Sequence, residues 1–86
     1  MELTATIHKI NNDKTKINVS TKTETTSFIV SEEDEWNSIT INNDLYDVHY
    51  FVEDNRPNVI VYDLIKVGNN EYDIDCNGYS ECEIKE

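Results

Sequence analysis

Glycine and proline are nearly missing: the 86 residues hold two glycines and one proline. With Gly68 and Gly78 alone, the chain has no glycine-rich loop to cradle a phosphate. Cysteine is as scarce. Cys76 and Cys82 make no disulfide framework of the kind found in oxidising compartments, and no basic residue except Lys85 stands near them to lower their pKa. Both are expected to be reduced thiols that fill space as small apolar side chains. Long apolar runs are also lacking, and the opening MELTATIHK has neither the basic start nor the apolar stretch of a signal peptide. The expected location is therefore the cytoplasm, with no membrane partner.

Positive charge is the most consequential shortage. Seven Lys and Arg stand against eighteen Asp and Glu, a net charge of −11. The imbalance is uneven along the chain: residues 1–30 carry Lys9, Lys14, Lys16 and Lys22 against three acids, whereas residues 31–86 carry only Arg56, Lys66 and Lys85 against fifteen. Nucleic acid and anionic membranes both need their phosphates neutralised by Lys and Arg, so direct binding to either is excluded as an expectation. A basic protein partner or a cation suits the field instead.

What is present is a period of two. Leu3, Ala5 and Ile7 alternate with Thr4, Thr6 and His8, and Ile17 and Val19 alternate with Asn18 and Ser20, the mark of strands with one buried face. NNDK between them reads as a turn, and TTSFIV as a third strand. Ser31 followed by EEDEW predicts a short helical turn near 31–37, capped by the serine hydroxyl with acids at its positive end. Strands resume at ITI, at LYDVHYFVED with Tyr46, Val48, Tyr50 and Val52 on one face, at NVIVYDLIKV after a turn at NRPN, and at EYDIDC beyond Gly68. Short strands with Asn-rich turns and no crossover helix predict one all-β domain over 1–86, mainly an antiparallel meander forming a small barrel or curled sheet. A domain of this size buries roughly 60–65% of the surface its unfolded chain exposes.

The last fifteen residues, YDIDCNGYSECEIKE, read as a terminal hairpin. A three-residue connection Cys76-Asn77-Gly78, with the glycine left-handed, pairs Asp75 with Tyr79, Asp73 with Glu81 and Glu71 with Glu83. Tyr72, Ile74, Ser80, Cys82 and Ile84 then turn inward and Glu71, Asp73, Asp75, Glu81 and Glu83 share the outer face. Acids directly opposite one another cost of the order of 0.2–1 kcal/mol per pair, a penalty that a docked cation would relieve. Two such strands carry about one charge per 3.4 Å, close to the phosphate spacing of a DNA strand.

The same stretch spells D-x-D-x-N-G from Asp73 to Gly78, the first half of a calcium loop. The position of its closing glutamate is occupied by Ile84 and no helices flank it. Catalysis has no motif either. His8 and His49 read as solvent-facing strand residues without a nucleophile or metal-ligand spacing around them, and neither an enzyme nor a cofactor is expected.

These features predict a non-enzymatic acidic binding protein that occupies a basic, nucleic-acid-binding cleft of a protein partner. Its contacts are Glu71, Asp73, Asp75, Glu81 and Glu83, a second patch of Glu32, Glu33, Asp34 and Glu35, and the aromatic Tyr62 and Trp36. In size and charge the chain resembles the small acidic proteins with which phages and plasmids block nucleic-acid-binding enzymes: DNA-mimic inhibitors, anti-restriction and anti-CRISPR proteins and nuclease immunity proteins. The alternative is a small structural or assembly module, such as a phage particle component, whose charge only solvates it. A third reading, a weak calcium module, predicts a melting temperature that rises with calcium and ceases to do so in Asp73→Asn, Asp75→Asn.

Overall fold

In the computed structural model, which describes residues 2–85, the chain is built entirely of strands. They are β1 (Thr4–Lys9), β2 (Thr15–Ser20), β3 (Thr25–Val30), β4 (Asp34–Ile41), β5 (Asp44–Glu53), β6 (Arg56–Gly68), β7 (Glu71–Glu81) and β8 (Glu83–Lys85). They form two four-stranded sheets ordered β3-β2-β1-β8 and β4-β5-β6-β7. All pairings are antiparallel except β1 with β8, which is parallel.

Each sheet contributes one apolar face to a shared core. Leu3, Ala5, Ile17, Val19 and Val30 from the first sheet meet Ile39, Ile41, Val48, Tyr50, Val59 and Val61 from the second. Their spacing of two along each strand is the alternation visible in the sequence. The sheets join where the chain passes between them. At one corner the Val52 amide donates to the Glu33 carbonyl at 2.9 Å; at the other, adjacent amides of Cys82 and Glu83 donate to Val59 and Leu3, each at 2.9 Å.

The turns follow from asparagine and aspartate. Asn42 and Asn43 (φ 51° and 70°) and Asp54 and Asn55 (φ 53° and 62°) are consecutive left-handed pairs in two-residue loops, the combination a type I′ hairpin needs. The second loop lies one residue before the expected NRPN turn, and Pro57 stands inside β6 opposite Val52. No bond is forfeited there. The loop-closing pair Glu53–Arg56 is hydrogen-bonded, so the next pair points its amides outward, as the Val52 amide does, and the missing proline N–H falls where β5 needs no donor.

Three expectations are corrected. Residues 31–37 form a bend running into β4 with no helical turn: the Ser31 amide donates to the Glu35 carboxylate at 2.8 Å, and Trp36 is drawn into register opposite His49. The terminal hairpin does not form, because β7 runs from Glu71 to Glu81 along β6, with two register shifts, and the chain then crosses to β1. Gly78 does not adopt positive φ; it lies in a bulge, Asp75–Gly78, inserted between the pairs Tyr62–Tyr79 and Leu64–Ile74. A Cβ at Gly78 would stand 2.8 Å from an Asp63 carboxylate oxygen and 2.9 Å from one of Asp75, so the missing side chain makes room for both.

Ile17 is fully buried at the centre of this core. Ile17→Val is expected to cost about 0.5–1.5 kcal/mol and Ile17→Ala about 2–5 kcal/mol, read by denaturant unfolding.

Candidate functional site

The pleat that sends Ile39, Val48, Tyr50, Val59 and Val61 inward sends their neighbours to the outer face of the second sheet. Register aligns these neighbours in rows: Asp34, Phe51 and Asn58; Trp36, His49, Ile60 and Glu81; Ser38, Asp47, Tyr62 and Tyr79. The result is an aromatic strip crossing all four strands. Trp36 stacks flat on His49, with ring centroids 4.4 Å apart and planes 3° from parallel. Tyr62 follows at 5.4 Å from Trp36, Tyr79 at 5.8 Å from Tyr62, and Phe51 sits 4.8 Å from His49. Trp36 and Tyr79 remain 47% and 54% exposed.

Three acids are set among these rings. The Asp34 carboxylate lies 2.6 Å from His49 Nε2, and Asp47 accepts a hydrogen bond from the Ser38 hydroxyl at 2.9 Å. Glu81 stands opposite Ile60. His49–Asp34 is the only ion-pair geometry among the described residues, so no Lys or Arg is paired with any of the chain's carboxylates there.

The first sheet presents a different outer face. Asn18 donates to the Thr6 hydroxyl at 3.1 Å and accepts from Ser27, and Ser20 and Thr25 share a hydrogen bond of 2.9 Å. These small polar side chains satisfy one another, and the next row of this face holds exposed His8, Lys16 and Ile29 with no Trp, Tyr or Phe. The first sheet also contains the lysine-bearing third of the chain, so the charge asymmetry of the sequence becomes a difference between two sides of the molecule.

The acids expected to act together are dispersed. Glu81 is on the aromatic face, Glu83 belongs to β8 opposite Thr4, and Glu71, Asp73 and Asp75 lie on the far half of β7. No cross-strand pair in either sheet sets one acid opposite another: Asp73 faces Ile65, Glu71 faces Gly68 and Asp47 faces Ser38 and Tyr62. The repulsion expected of the hairpin is thereby avoided, which is one reason the crossing is preferred to it. The second patch also divides. Glu32 and Glu33 edge an open cleft of about 310 Å³ floored by Ile7, Val30, Tyr50 and Val52; Asp34 joins the aromatic face; Glu35 turns to the opposite side of β4. Trp36 and Tyr62, the expected apolar contacts, are brought side by side.

His49, Phe51 and Tyr79 were missing from the sequence reading of the site. A signal existed: Trp36, His49, Phe51 and Tyr62 occupy positions out of phase with the core residues of the same strands. Tyr79 carried none, because its phase depends on the bulge. The calcium-like stretch is consumed by that bulge, where Asp75 accepts the Asn77 amide at 2.9 Å, and no three acids, histidines or cysteines gather to hold a metal among the described residues.

Burial raises the phenol pKa of Tyr50, with Glu33 adding, and that of Tyr46, with Asp44 and Asp63 adding. Burial alone pushes the Cys82 thiol up to about 11 from 9.0. The native state thus holds the Cys82 proton that the unfolded chain releases near pH 9. Its stabilisation is complete below that pH and is lost as pH rises toward 11. A thiol reagent at neutral pH should label exposed Cys76 rapidly and Cys82 only on unfolding, and stability should fall between pH 9 and 11 with a shallower slope in Cys82→Ala.

No family model matches this chain, and no curated protein or solved structure proved similar to it.

Proposed function

We infer that the protein is a non-enzymatic binding module that uses the outer face of its second sheet to occupy a basic, nucleic-acid-binding cleft of a protein partner. The observation that carries this reading is the row Trp36–Tyr62–Tyr79, half-exposed at its two ends, set among Asp34, Asp47 and Glu81 on a chain of net charge −11. Half-exposed aromatic residues at the centre of a patch are the residues that anchor protein interfaces. Carboxylates without a Lys or Arg partner supply the field that attracts and orients a positive surface. The acids on the far half of β7, Glu71, Asp73 and Asp75, extend the same negative field beyond the aromatic row.

The test is capture of basic proteins on immobilised protein at low salt, with elution by salt and by duplex DNA. A specific partner should leave over a steep salt range, should be displaced by DNA, and should be lost in Asp34→Asn, Asp47→Asn, Glu81→Gln. Retention that is independent of salt, or equal in that variant, would overturn the reading.

One observation favours a second reading, the assembly module. Pairing of β5 with β6 stops at Tyr46–Asp63, so Leu64–Gly68 has a strand partner only in β7, and this arm exposes Ile65, Val67 and Tyr72 at 47%, 59% and 57%. An unpaired edge carrying exposed apolar side chains is a template for another strand. In that case sedimentation should show a concentration-dependent oligomer that Ile65→Lys, Val67→Lys converts to monomer; a monomer at every concentration would exclude it.

A further inference from the structure

The geometry points to arginine side chains of the partner, in preference to lysine, as the groups the aromatic face recognises. This rests on the binding-face reading above and goes on to name its ligand chemistry. The row Trp36, Tyr62 and Tyr79 reaches from β4 to β7 in steps of 5.4 Å and 5.8 Å between ring centroids. An extended segment laid along it brings alternate side chains down every ~6.7 Å, so two reach the row.

Three features select the guanidinium. First, the exposed aromatic surface sits on a rigid support: half-exposed Trp36 is held by the flat stack on His49, and half-exposed Tyr79 ends the strip beside Tyr62, where strand pairing holds it. A planar, weakly hydrated cation stacks on such rings, whereas an ammonium keeps its hydration and meets them as a point. Second, the carboxylates beside the rings are oriented. Asp34 has one oxygen on His49, and Asp47 has one on Ser38, leaving the second oxygen of each without a partner among the described residues. A guanidinium stacked on a ring still has in-plane N–H groups to donate, and neighbouring carboxylate oxygens can accept them. Third, the face contains no Lys or Arg of its own in the rows that hold the aromatic residues, so nothing on the chain occupies these positions.

Trp36 is the only tryptophan, so its emission reports on this face alone. The experiment titrates the full chain with hexaarginine and with hexalysine at physiological salt, following Trp36 fluorescence and heat of binding. Hexaarginine is expected to bind about tenfold or more tightly than hexalysine and to shift Trp36 emission, a ratio set by cation–π and bidentate contacts. In Tyr79→Leu and in Asp47→Asn, whose folding is checked by melting temperature, the preference should shrink to about threefold or less while hexalysine binding changes little. Equal affinity for the two peptides, with a shift of Trp36 emission, would overturn the arginine assignment and leave the basic-partner reading standing. Binding that leaves Trp36 emission unchanged, or no binding of either peptide, would overturn both.

Discussion

Two adjacent amides decide the architecture. Cys82 donates to Val59 in one sheet and Glu83 donates to Leu3 in the other, so a single peptide step carries the chain between the sheets. Once the chain leaves there, β7 must run alongside β6 for its whole length and β8 must lie parallel to β1. Cys82 is buried at this step, the one cysteine drawn into the core, and its neighbours Glu81 and Glu83 emerge on different sheets. At the opposite corner the Val52 amide donates to the Glu33 carbonyl, extending the β4–β5 ladder one residue beyond Asp34–Phe51 and so holding Glu33 extended rather than helical. Both corners close one core between two sheets, so each sheet keeps one face in water.

What the two wet faces carry differs in kind. On the first, hydroxyl and amide side chains bond to one another around Thr6, Asn18 and Ser27, beside exposed His8, Lys16 and Ile29. On the second, Trp36 and Tyr79 lie half-exposed beside acids that have no Lys or Arg partner. An aromatic ring left in water forgoes the transfer free energy its burial would bring, so a row of them across four strands, half-exposed at its two ends, is unusual for a chain that has only two Phe, one Trp and five Tyr. The fold devotes much of that aromatic content to the one face whose charge attracts a cation. Electrostatic and apolar features therefore coincide in space although they are scattered in sequence.

The core was legible because alternation is local: Leu3 and Ala5, Ile17 and Val19, Val48 and Tyr50 each announce their face within a few residues. The Asn-rich turns were legible for the same reason, since left-handed φ is a property of the residue. The crossing after Glu81 was not, because the choice between a hairpin at Asn77-Gly78 and a long strand depends on β6 and β1, which lie far away in sequence. The aromatic strip was half legible. Trp36 and Tyr62 stood out by type, but their meeting with His49, Phe51 and Tyr79 required the registers of β4 through β7, including a bulge whose size the sequence does not state. The acids misled most, as their density in the last fifteen residues suggested one continuous face, whereas no cross-strand pair sets one acid opposite another and the bulge at Gly78 brings two carboxylates, Asp63 and Asp75, near each other.

The central claim is that the outer face of the second sheet is where this protein meets its partner. The most direct measurement follows the NMR resonances of isotope-labelled protein while a retained basic protein is added. The account predicts broadening or shifts at the Trp36 indole, His49, Tyr62 and Tyr79 and at the adjoining Asp34, Asp47 and Glu81, with Thr6, Asn18 and Ser27 silent. Changes concentrated on the first sheet or along Glu71–Asp75, with the aromatic row silent, would contradict it.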